Sequence, residues 1–233
     1  MTTDVSRGHG AALVLFCRRP APGEGKRRLA RALGDEQAFA VAEALLQCAL
    51  EDAAAWPGPV VLSPARSEDA AWAAGLLEGE VQVIPQPVGN LGERIATVDV
   101  LVRRRGCSRV LFIGSDAPSL HPWQLTAAAA ALERAEVVLI PAADGGVTLM
   151  GSRTGWPDLT ALPWSEAALG AALEQVCRQS SRSVERLEGS YDIDEPADCR
   201  LAIERLTGDP RPARRRLREL LRGLKLPAAP LRT

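Results

Sequence analysis

The sequence is poor in several side chains on which many catalytic and metal sites depend. Histidine occurs twice and tyrosine once, and Lys26 and Lys225 are the two lysines among 28 basic residues. There is no Walker A motif and no G-x-G-x-x-G motif, which removes the main support for a P-loop or dinucleotide-binding fold. The five cysteines contain no C-x-x-C pair. Their odd number and scattered positions predict reduced thiols and a cytoplasmic location.

The chain also lacks a strong net charge and any long apolar run. Its net charge of -1 gives no general attraction to nucleic acid. No run approaches the roughly 20 apolar residues of a membrane-spanning helix, and the polar start MTTDVSRGHG does not resemble a signal peptide. We therefore expect no membrane association and a flexible N-terminus at residues 1–10.

Short apolar runs alternate with amphipathic stretches through the first 140 residues. The runs are rich in Val, Ile and Leu, as strands covered on both faces require, and they lie at 12–17, 60–63, 81–85, 109–113 and 137–141. Helical patterns separate them at 36–55, 67–77, 91–105 and 121–134. A strand at 146–151, a helix at 165–177, a strand at 183–187 and a helix at 195–206 follow. The alternation predicts an α/β fold with a mostly parallel central sheet.

The C-terminal segment differs from this core in composition. Residues 208–233 contain eight basic and two acidic residues, and we separate them as a basic helical tail from a domain at 11–207. Leucines at helical spacing (Leu217, Leu220, Leu221 and Leu224) favour a helix docked on the core or on another subunit, so a homodimer is a possible assembly. Polyanion binding by the tail is the less favoured alternative.

The first strand leads into a basic loop rich in glycine and proline, CRRPAPGEGKRRLARALG at 17–34. Backbone N–H groups and the start of a helix can receive phosphate here, and Lys26 adds a mobile positive charge. A solvated loop is the alternative. A second loop, GNLGER at 89–94, either approaches a ligand through its glycines or is a turn in which Asn90 caps the next helix.

Several carboxylates follow predicted strands. Ser115 and Asp116 end the fourth strand, at the sheet edge where α/β proteins bind ligands, and Asp116 either holds Mg²⁺ or caps a turn. Asp144 precedes two glycines in a segment that also fits a plain hairpin. Asp192 and Asp194 lie in YDIDEPAD, where they either complete a metal site or cap the following helix.

The order of these motifs resembles a known family. PAPGEGKRRL, GNLGER, IGSDAPSL, PAADGGVTLMG, LPWSEAAL and YDIDEPAD are similar to the glycosyltransferase-like family of radical-SAM/selenodomain-associated transferases. The resemblance covers roughly residues 12–206. It implies a GT-A (Rossmann-like) αβα sandwich, the fold of nucleotide-diphospho-sugar transferases. The guanylyltransferases of molybdenum-cofactor and phospholactate pathways are similar at greater distance.

The resemblance implies a role for each matching position. Gly23, Gly25, Lys26 and Arg28 would hold the nucleotide phosphates, and Gly89, Asn90, Gly92 and Arg94 would lie near the base or ribose. Asp116, with Asp192 or Asp194, would bind the metal. Asp144, Gly145 and Gly146 would border the acceptor pocket, with Trp164 and Ser165 on the acceptor side, and Ser115 would assist binding. Arg27, Arg31 and the Val147–Leu149 segment depart from the family pattern.

These roles predict a divalent-metal-dependent transferase that uses Mg²⁺ (or Mn²⁺), with Lys26 and Asp116 as catalytic residues. A nucleotidyltransferase that joins NMP from an NTP to a small phosphorylated acceptor is favoured, because a triphosphate needs the positive charge of Lys26. The first alternative is a glycosyltransferase that uses a nucleotide-diphospho-sugar. The second is a protein that binds nucleotide or polyanion without turnover.

Overall fold

Seven strands form one central sheet in the computed structural model, which describes residues 10–79 and 81–227. They are β1 (Ala12–Cys17), β2 (Val60–Pro64), β3 (Gln82–Val83), β4 (Val110–Gly114), β5 (Val137–Pro141), β6 (Val147–Ser152) and β7 (Val184–Arg186). Their order is β3-β2-β1-β4-β6-β5-β7, and among these strands only β6 is antiparallel to its neighbours. The predicted α/β fold with a mostly parallel sheet is therefore confirmed. The predicted flexible N-terminus lies outside the described residues, except for Gly10.

Helices cover both faces of this sheet. They are α1 (Arg27–Leu33), α2 (Asp35–Ala54), α3 (Ala70–Ala74), α4 (Leu91–Arg104), α5 (Pro122–Ala131), α6 (Leu169–Gln179), α7 (Pro196–Arg205) and α8 (Pro212–Gly223). Alternate strand residues face opposite layers: Leu13 and Leu15 pack with α2, α3 and α5, whereas Ala12 and Val14 pack with α4 and α6. Within the described part of the chain, no helix is long and apolar enough to cross a membrane.

Several predicted elements are shorter than the sequence pattern suggested, and three of these differences are visible in the backbone. Strand β3 comprises Gln82 and Val83, although the N–H groups of Ile84 and Gln86 still donate to the Leu62 and Pro64 carbonyls at 3.0 and 2.9 Å. The pattern at 67–77 divides into a 3-10 turn at Ser67–Asp69 and the short helix α3. Helix α6 begins at Leu169 rather than at Ser165, because the backbone of Ser165 is left-handed with φ 70°.

Helix α8, in the basic C-terminal segment, packs against α2 and α7. Leu217 and Leu221 are buried there, and Arg214, on the same face, is 0% exposed. The Arg214 guanidinium donates to Asp52 and to Glu51 (3.1 Å) on α2, to the carbonyl of Cys48, and to the Pro118 carbonyl at 3.2 Å. Helix α8 thereby contacts the loop that follows β4.

Candidate functional site

The predicted site segments meet at one edge of the sheet, where the parallel strands end. The loop with Lys26 follows β1, Asp116 follows β4, Asp144 follows β5, and Asp192 and Asp194 follow β7. Open α/β sheets bind ligands outside the carboxyl ends of their strands. The topology therefore brings side chains from four parts of the chain to the edge where a ligand is expected.

Lys26 is turned inward and joins two of the predicted carboxylates. Its backbone is left-handed (φ 37°) at the start of α1, and its side chain is only 12% exposed. Nζ donates to Asp194 Oδ1 at 2.5 Å, to the Ile193 carbonyl at 2.6 Å and to Asp116 Oδ2 at 3.3 Å. Burial lowers the pKa of Lys26, but the charges of Asp116 and Asp194 outweigh burial and raise it above its usual value.

Backbone contacts hold the late acidic segment against the Asp116 loop. The Ile193 N–H donates to the Asp116 carbonyl at 3.0 Å. The Ser119 hydroxyl accepts from the Tyr191 N–H at 3.0 Å and donates to the Tyr191 carbonyl at 2.5 Å. These bonds place Asp116 and Asp194 on either side of Lys26 before any ligand is bound.

Asp192 carries the clearest electrostatic signature of the site. Burial, followed by the charges of Asp116, Asp144 and Asp194, raises the pKa of Asp192 to about 7. Such a group of oxygen donors suits a hard divalent cation. Among the described residues, however, no group of three or more His, Cys, Asp or Glu side chains is already arranged to hold a metal ion. The metal-binding roles of Asp116, Asp192 and Asp194 therefore remain a prediction.

Replacing Asp192 with asparagine is expected to stabilise the metal-free protein at alkaline pH. Because the folded-state pKa is raised, the folded protein holds this proton more tightly than the unfolded chain does. Ionisation of Asp192 therefore destabilises the fold as pH rises from about 4 through 7. In EDTA, we expect the melting temperature of Asp192→Asn to exceed that of the unmodified protein by roughly 2–4 °C at pH 8, about 1 kcal/mol for this chain length, and by less at pH 5.

Asp158→Asn is the control for this stability prediction. Hydrogen bonds from Thr160 lower the pKa of Asp158, so its ionised form is favoured in the folded state and its replacement should give no gain at pH 8. An Asp192→Asn protein that melts below the unmodified protein at pH 8 would contradict the raised pKa of Asp192.

The second glycine loop is a helix cap in this structure. Asn90 Oδ1 accepts from the Glu93 N–H at 3.1 Å, while Glu93 Oε2 accepts from the Asn90 N–H at 2.7 Å, which completes a capping box at the start of α4. Arg94 Nε donates to the Gly89 carbonyl at 2.8 Å. Gly92 packs against the backbone of Leu159, and an added Cβ would lie 2.3 Å from its carbonyl oxygen. The capping alternative accounts for Asn90, and nucleotide contacts of this loop remain a prediction.

A cavity of about 330 Å³ opens beside the carboxylates. Of the predicted site residues, those that line it are Arg28, Asp116, Asp144, Gly146, Trp164, Ser165, Asp192 and Asp194. The others lie outside its lining: Gly23, Gly25, Lys26, Gly89, Asn90, Gly92, Arg94, Ser115 and Gly145. Except for Gly145, the predicted acceptor residues thus share one cavity with the acidic residues, whereas Arg28 is the one predicted phosphate-binding residue that lines it.

The apolar wall of this cavity was not predicted from the sequence. Phe16 on β1 and Phe112 on β4 line it and meet edge to face, with ring centroids 5.4 Å apart at 84°. Leu91 and Met150 line it as well. The register of the two strands explains why these rings meet. Strands β1 and β4 are parallel, and Val14 is paired with Phe112. Phe16 is two residues beyond Val14 and therefore lies on the same face of the sheet as Phe112. This inference needed the strand order, which the sequence alone did not provide.

Gly145→Ala is expected to be the most destabilising alanine substitution in the hairpin between β5 and β6. Gly145 has φ 94°, and an added Cβ would lie 2.0 Å from the carbonyl oxygen of Ala167. Gly106→Ala is a matched control, since Gly106 has φ 95° but open space around the added Cβ. Both variants should lose about 1 kcal/mol from backbone strain, and Gly145→Ala about 1–3 kcal/mol more from the clash. Urea unfolding measures the difference, and equal midpoints would contradict it.

Comparisons with known proteins agree with this architecture. One similar structure is that of a Desulfovibrio desulfuricans G20 protein provisionally named a nucleotide-diphospho-sugar transferase. The two sequences are 25% identical, and the alignment covers 91% of this chain and 94% of that one. The TM-score is 0.79. A structure from Mycobacterium sp. strain JC1, a homologue of Mycobacterium tuberculosis Rv0371c, is 16% identical, with 91% and 97% covered and a TM-score of 0.55, which supports the fold alone.

The family assignment rests on a match in the middle of the chain. No curated protein matches this sequence. The model of the family described as "Uncharacterized protein conserved in bacteria (DUF2064)" matches residues 45–166, which include β2 to β6 and Asp116. Together with the similar structures, this match confirms the resemblance to a GT-A-like family that the motifs suggested. The chain therefore belongs to the DUF2064 family.

Proposed function

We propose that the protein is a divalent-metal-dependent transferase that uses a nucleotide donor, and that it transfers NMP from an NTP to a small acceptor with release of pyrophosphate. The observation that carries the proposal is the position of Lys26. Its Nζ lies 3.3 Å from Asp116 and 2.5 Å from Asp194. A phosphate-loop cation and the proposed metal-binding carboxylates therefore share one sheet edge.

The loop that contains Lys26 supplies positive charge for a polyphosphate. Arg18, Arg19, Arg27 and Arg28 are exposed on or beside it, and Arg28 forms a solvent-exposed ion pair with Glu195 at 3.2 Å. Exposed pairs of this kind contribute little to stability, so Arg28 can exchange Glu195 for a phosphate at small cost.

The acidic residues fit a divalent cation by the chemistry of their oxygen donors. Asp116, Asp192 and Asp194 would hold Mg²⁺ or Mn²⁺, which would neutralise charge on the donor's phosphates. Lys26 pairs with two of these three carboxylates, Asp116 and Asp194. Binding of a nucleotide would give Lys26 phosphate oxygens as alternative partners and free the carboxylates for the cation.

The proposed transfer needs no protein nucleophile. An acceptor hydroxyl oxygen or amine nitrogen forms a bond to the α-phosphorus of the NTP, the bond from that phosphorus to the bridging oxygen breaks, pyrophosphate leaves, and the acceptor's proton passes to solvent. The role of the protein is to position both substrates and to stabilise charge on the leaving group. Lys26 is the cation that this scheme places on that leaving group.

Glycosyl transfer is the second candidate, and the similarity to the Desulfovibrio protein favours it. The acceptor would then bond to the anomeric carbon of a nucleotide-diphospho-sugar, and the nucleoside diphosphate would leave with the electrons of the broken bond. The same phosphate loop and carboxylates would serve both reactions. The two candidates differ in the leaving group, which is pyrophosphate in nucleotidyl transfer and a nucleoside diphosphate in glycosyl transfer.

A nucleotide screen separates the candidates. Thermal unfolding with NTPs and with nucleotide sugars, each with and without Mg²⁺ or Mn²⁺, shows which donor binds, because ligands of the folded state raise the melting temperature. Pyrophosphate release from an NTP with a pool of acceptors would support nucleotidyl transfer, whereas binding of nucleotide sugars alone would exclude it. Asp116→Asn is the control: unchanged metal-dependent turnover in this variant would contradict the role given to Asp116.

A further inference from the structure

The charges and apolar residues that line the cavity beside the carboxylates indicate the chemical class of the acceptor. We infer that the acceptor is a molecule with an apolar body and a hydroxyl or amine group, and that it carries no phosphate. The inference rests on the proposed transferase function and narrows its substrate class. It also replaces the phosphorylated acceptor that the sequence favoured.

The charged groups that line the cavity are almost all acidic. They comprise five acids (Asp116, Asp144, Glu166, Asp192 and Asp194) and one base (Arg28). The proposed function assigns Arg28, which can exchange Glu195 for a phosphate, to the donor, and Lys26 directs its Nζ to two carboxylates and a carbonyl. A phosphate dianion placed in this cavity would meet several like charges and no uncommitted cation among its described lining residues. Such an arrangement is unfavourable at short range.

A bound divalent cation does not reverse this balance. The cation would be held by Asp116, Asp192 and Asp194 and would offset charge on the donor's phosphates, so an acceptor phosphate would have to share it with both. Asp144 and Glu166, both exposed at the cavity, would keep their charges and face the acceptor side. The donor's phosphates have the basic loop outside the cavity, whereas an acceptor phosphate would have no comparable partner.

The remaining wall of the cavity is apolar. Phe16 and Phe112 form an edge-to-face pair, and Ile95 and Met150 are buried beside them. Leu91 lies on the lining and is 38% exposed, which leaves apolar surface at the entrance. A volume of about 330 Å³ is at the small end of ligand pockets and suits one ring or a short branched chain.

The acidic residues and the apolar wall have distinct tasks in this assignment. The wall binds the body of the acceptor by removing apolar surface from water. The carboxylates attract an amine or accept a hydrogen bond from a hydroxyl, which orients the reacting atom toward the donor. A phosphate in place of that hydroxyl loses the hydrogen bond and adds repulsion.

Direct binding tests the inference without any need for turnover. The probes are 4-phenylbutan-1-ol, 4-phenylbutylamine and 4-phenylbutyl phosphate, titrated by calorimetry into the full chain with and without Mg²⁺. We expect the alcohol and the amine to bind at least about tenfold more tightly than the phosphate, a difference of roughly 1.4 kcal/mol. Leu91→Ala should weaken binding of the alcohol.

A charge reversal provides the matched comparison. Glu166→Lys adds a cation at the cavity and should raise affinity for the phosphate probe about tenfold relative to the alcohol. Glu43→Lys makes the same change at an exposed position on α2 that does not line the cavity, and should have no effect on either probe. Neither residue belongs to the proposed catalytic groups.

Three results would overturn the inference. They are tighter binding of the phosphate than of the alcohol, no binding of any probe, and competition by a nucleoside that would assign the cavity to the donor. Nucleotide binding measured on the same protein separates this failure from failure of the proposed function. If nucleotides bind and the alcohol does not, the acceptor class is wrong; if the alcohol binds and nucleotides do not, the transferase function is wrong.

Discussion

Lys26→Met is expected to lower turnover about 100- to 1,000-fold. Removal of one preorganised group that stabilises developing charge has an effect of this size in other enzymes, and Lys26 is the buried cation that the basic loop at 17–34 directs at Asp116 and Asp194. Methionine keeps much of the length of the side chain and removes the charge. The measurement is product formation at saturating donor, which separates a loss in the reaction step from a loss in binding.

Arg27→Met is the matched control for the lysine variant. Arg27 is the next residue in the chain, it is exposed, and its loss removes the same formal charge from the loop without touching Asp116 or Asp194. We expect a change of less than about threefold in turnover, as for surface charges that act through solvent. If both variants lose activity equally, the loss is caused by the lower total positive charge of the loop and not by the absence of the Lys26 ammonium group from its specific position.

Arg214→Met is expected to destabilise the fold by about 3–5 kcal/mol. Breaking a buried ion pair on one side is costly because the remaining charge loses a partner, and Asp52, which is 3% exposed, would keep only its ion pair with Arg211 at 3.2 Å. The carbonyls of Cys48 and Pro118 would lose a donor as well. Urea unfolding gives the free-energy difference from the shift in midpoint.

The control for this stability loss lies one residue away on the same helix. Arg215 is exposed on α8, and Arg215→Met should change the free energy of unfolding by no more than about 0.5 kcal/mol. A loss of similar size in both variants would mean that helix propensity or net charge, rather than the buried contacts of Arg214, sets the stability. A double replacement, Asp52→Asn with Arg214→Met, should recover part of the loss, because it leaves no buried charge unpaired.

Much of the fold follows from local pattern. The runs that become β1, β2, β4 and β5 are apolar on both faces, a pattern typical of strands in a parallel sheet that is covered by helices on both sides. The sequence also predicted that Asp116 and Asp144 lie at one edge of the sheet, because each follows such a run closely and parallel strands end at one edge; the roles of these carboxylates remain a prediction. The position of Asp192 and Asp194 beside Asp116 was predicted from motif order and is visible in the Ile193–Asp116 backbone bond.

The remaining features depend on long-range contacts. The ion pairs of Lys26 require the loop, Asp116 and Asp194 to be placed in space, and a left-handed lysine has no local signature. The apolar wall of the cavity required the order of β1 and β4. Arg214 could have been noticed, since it lies three residues before Leu217 and seven before Leu221 on one helical face. An arginine on an apolar stripe, however, predicts a buried ion pair only when its partner on α2 is known to face it.

The contacts of Arg214 also set the order in which a growing chain can acquire its site. The Pro118 carbonyl, two residues beyond Asp116, is bonded to an arginine on the last described helix, and Arg211 donates to the Leu120 carbonyl at 2.7 Å. A nascent chain that has already emerged with all seven strands still lacks these two donors. The loop that carries Asp116 therefore gains these two bonds only after the ribosome has passed α8, and a polypeptide released early would keep its sheet-forming segments but not this part of the support for the Asp116 loop.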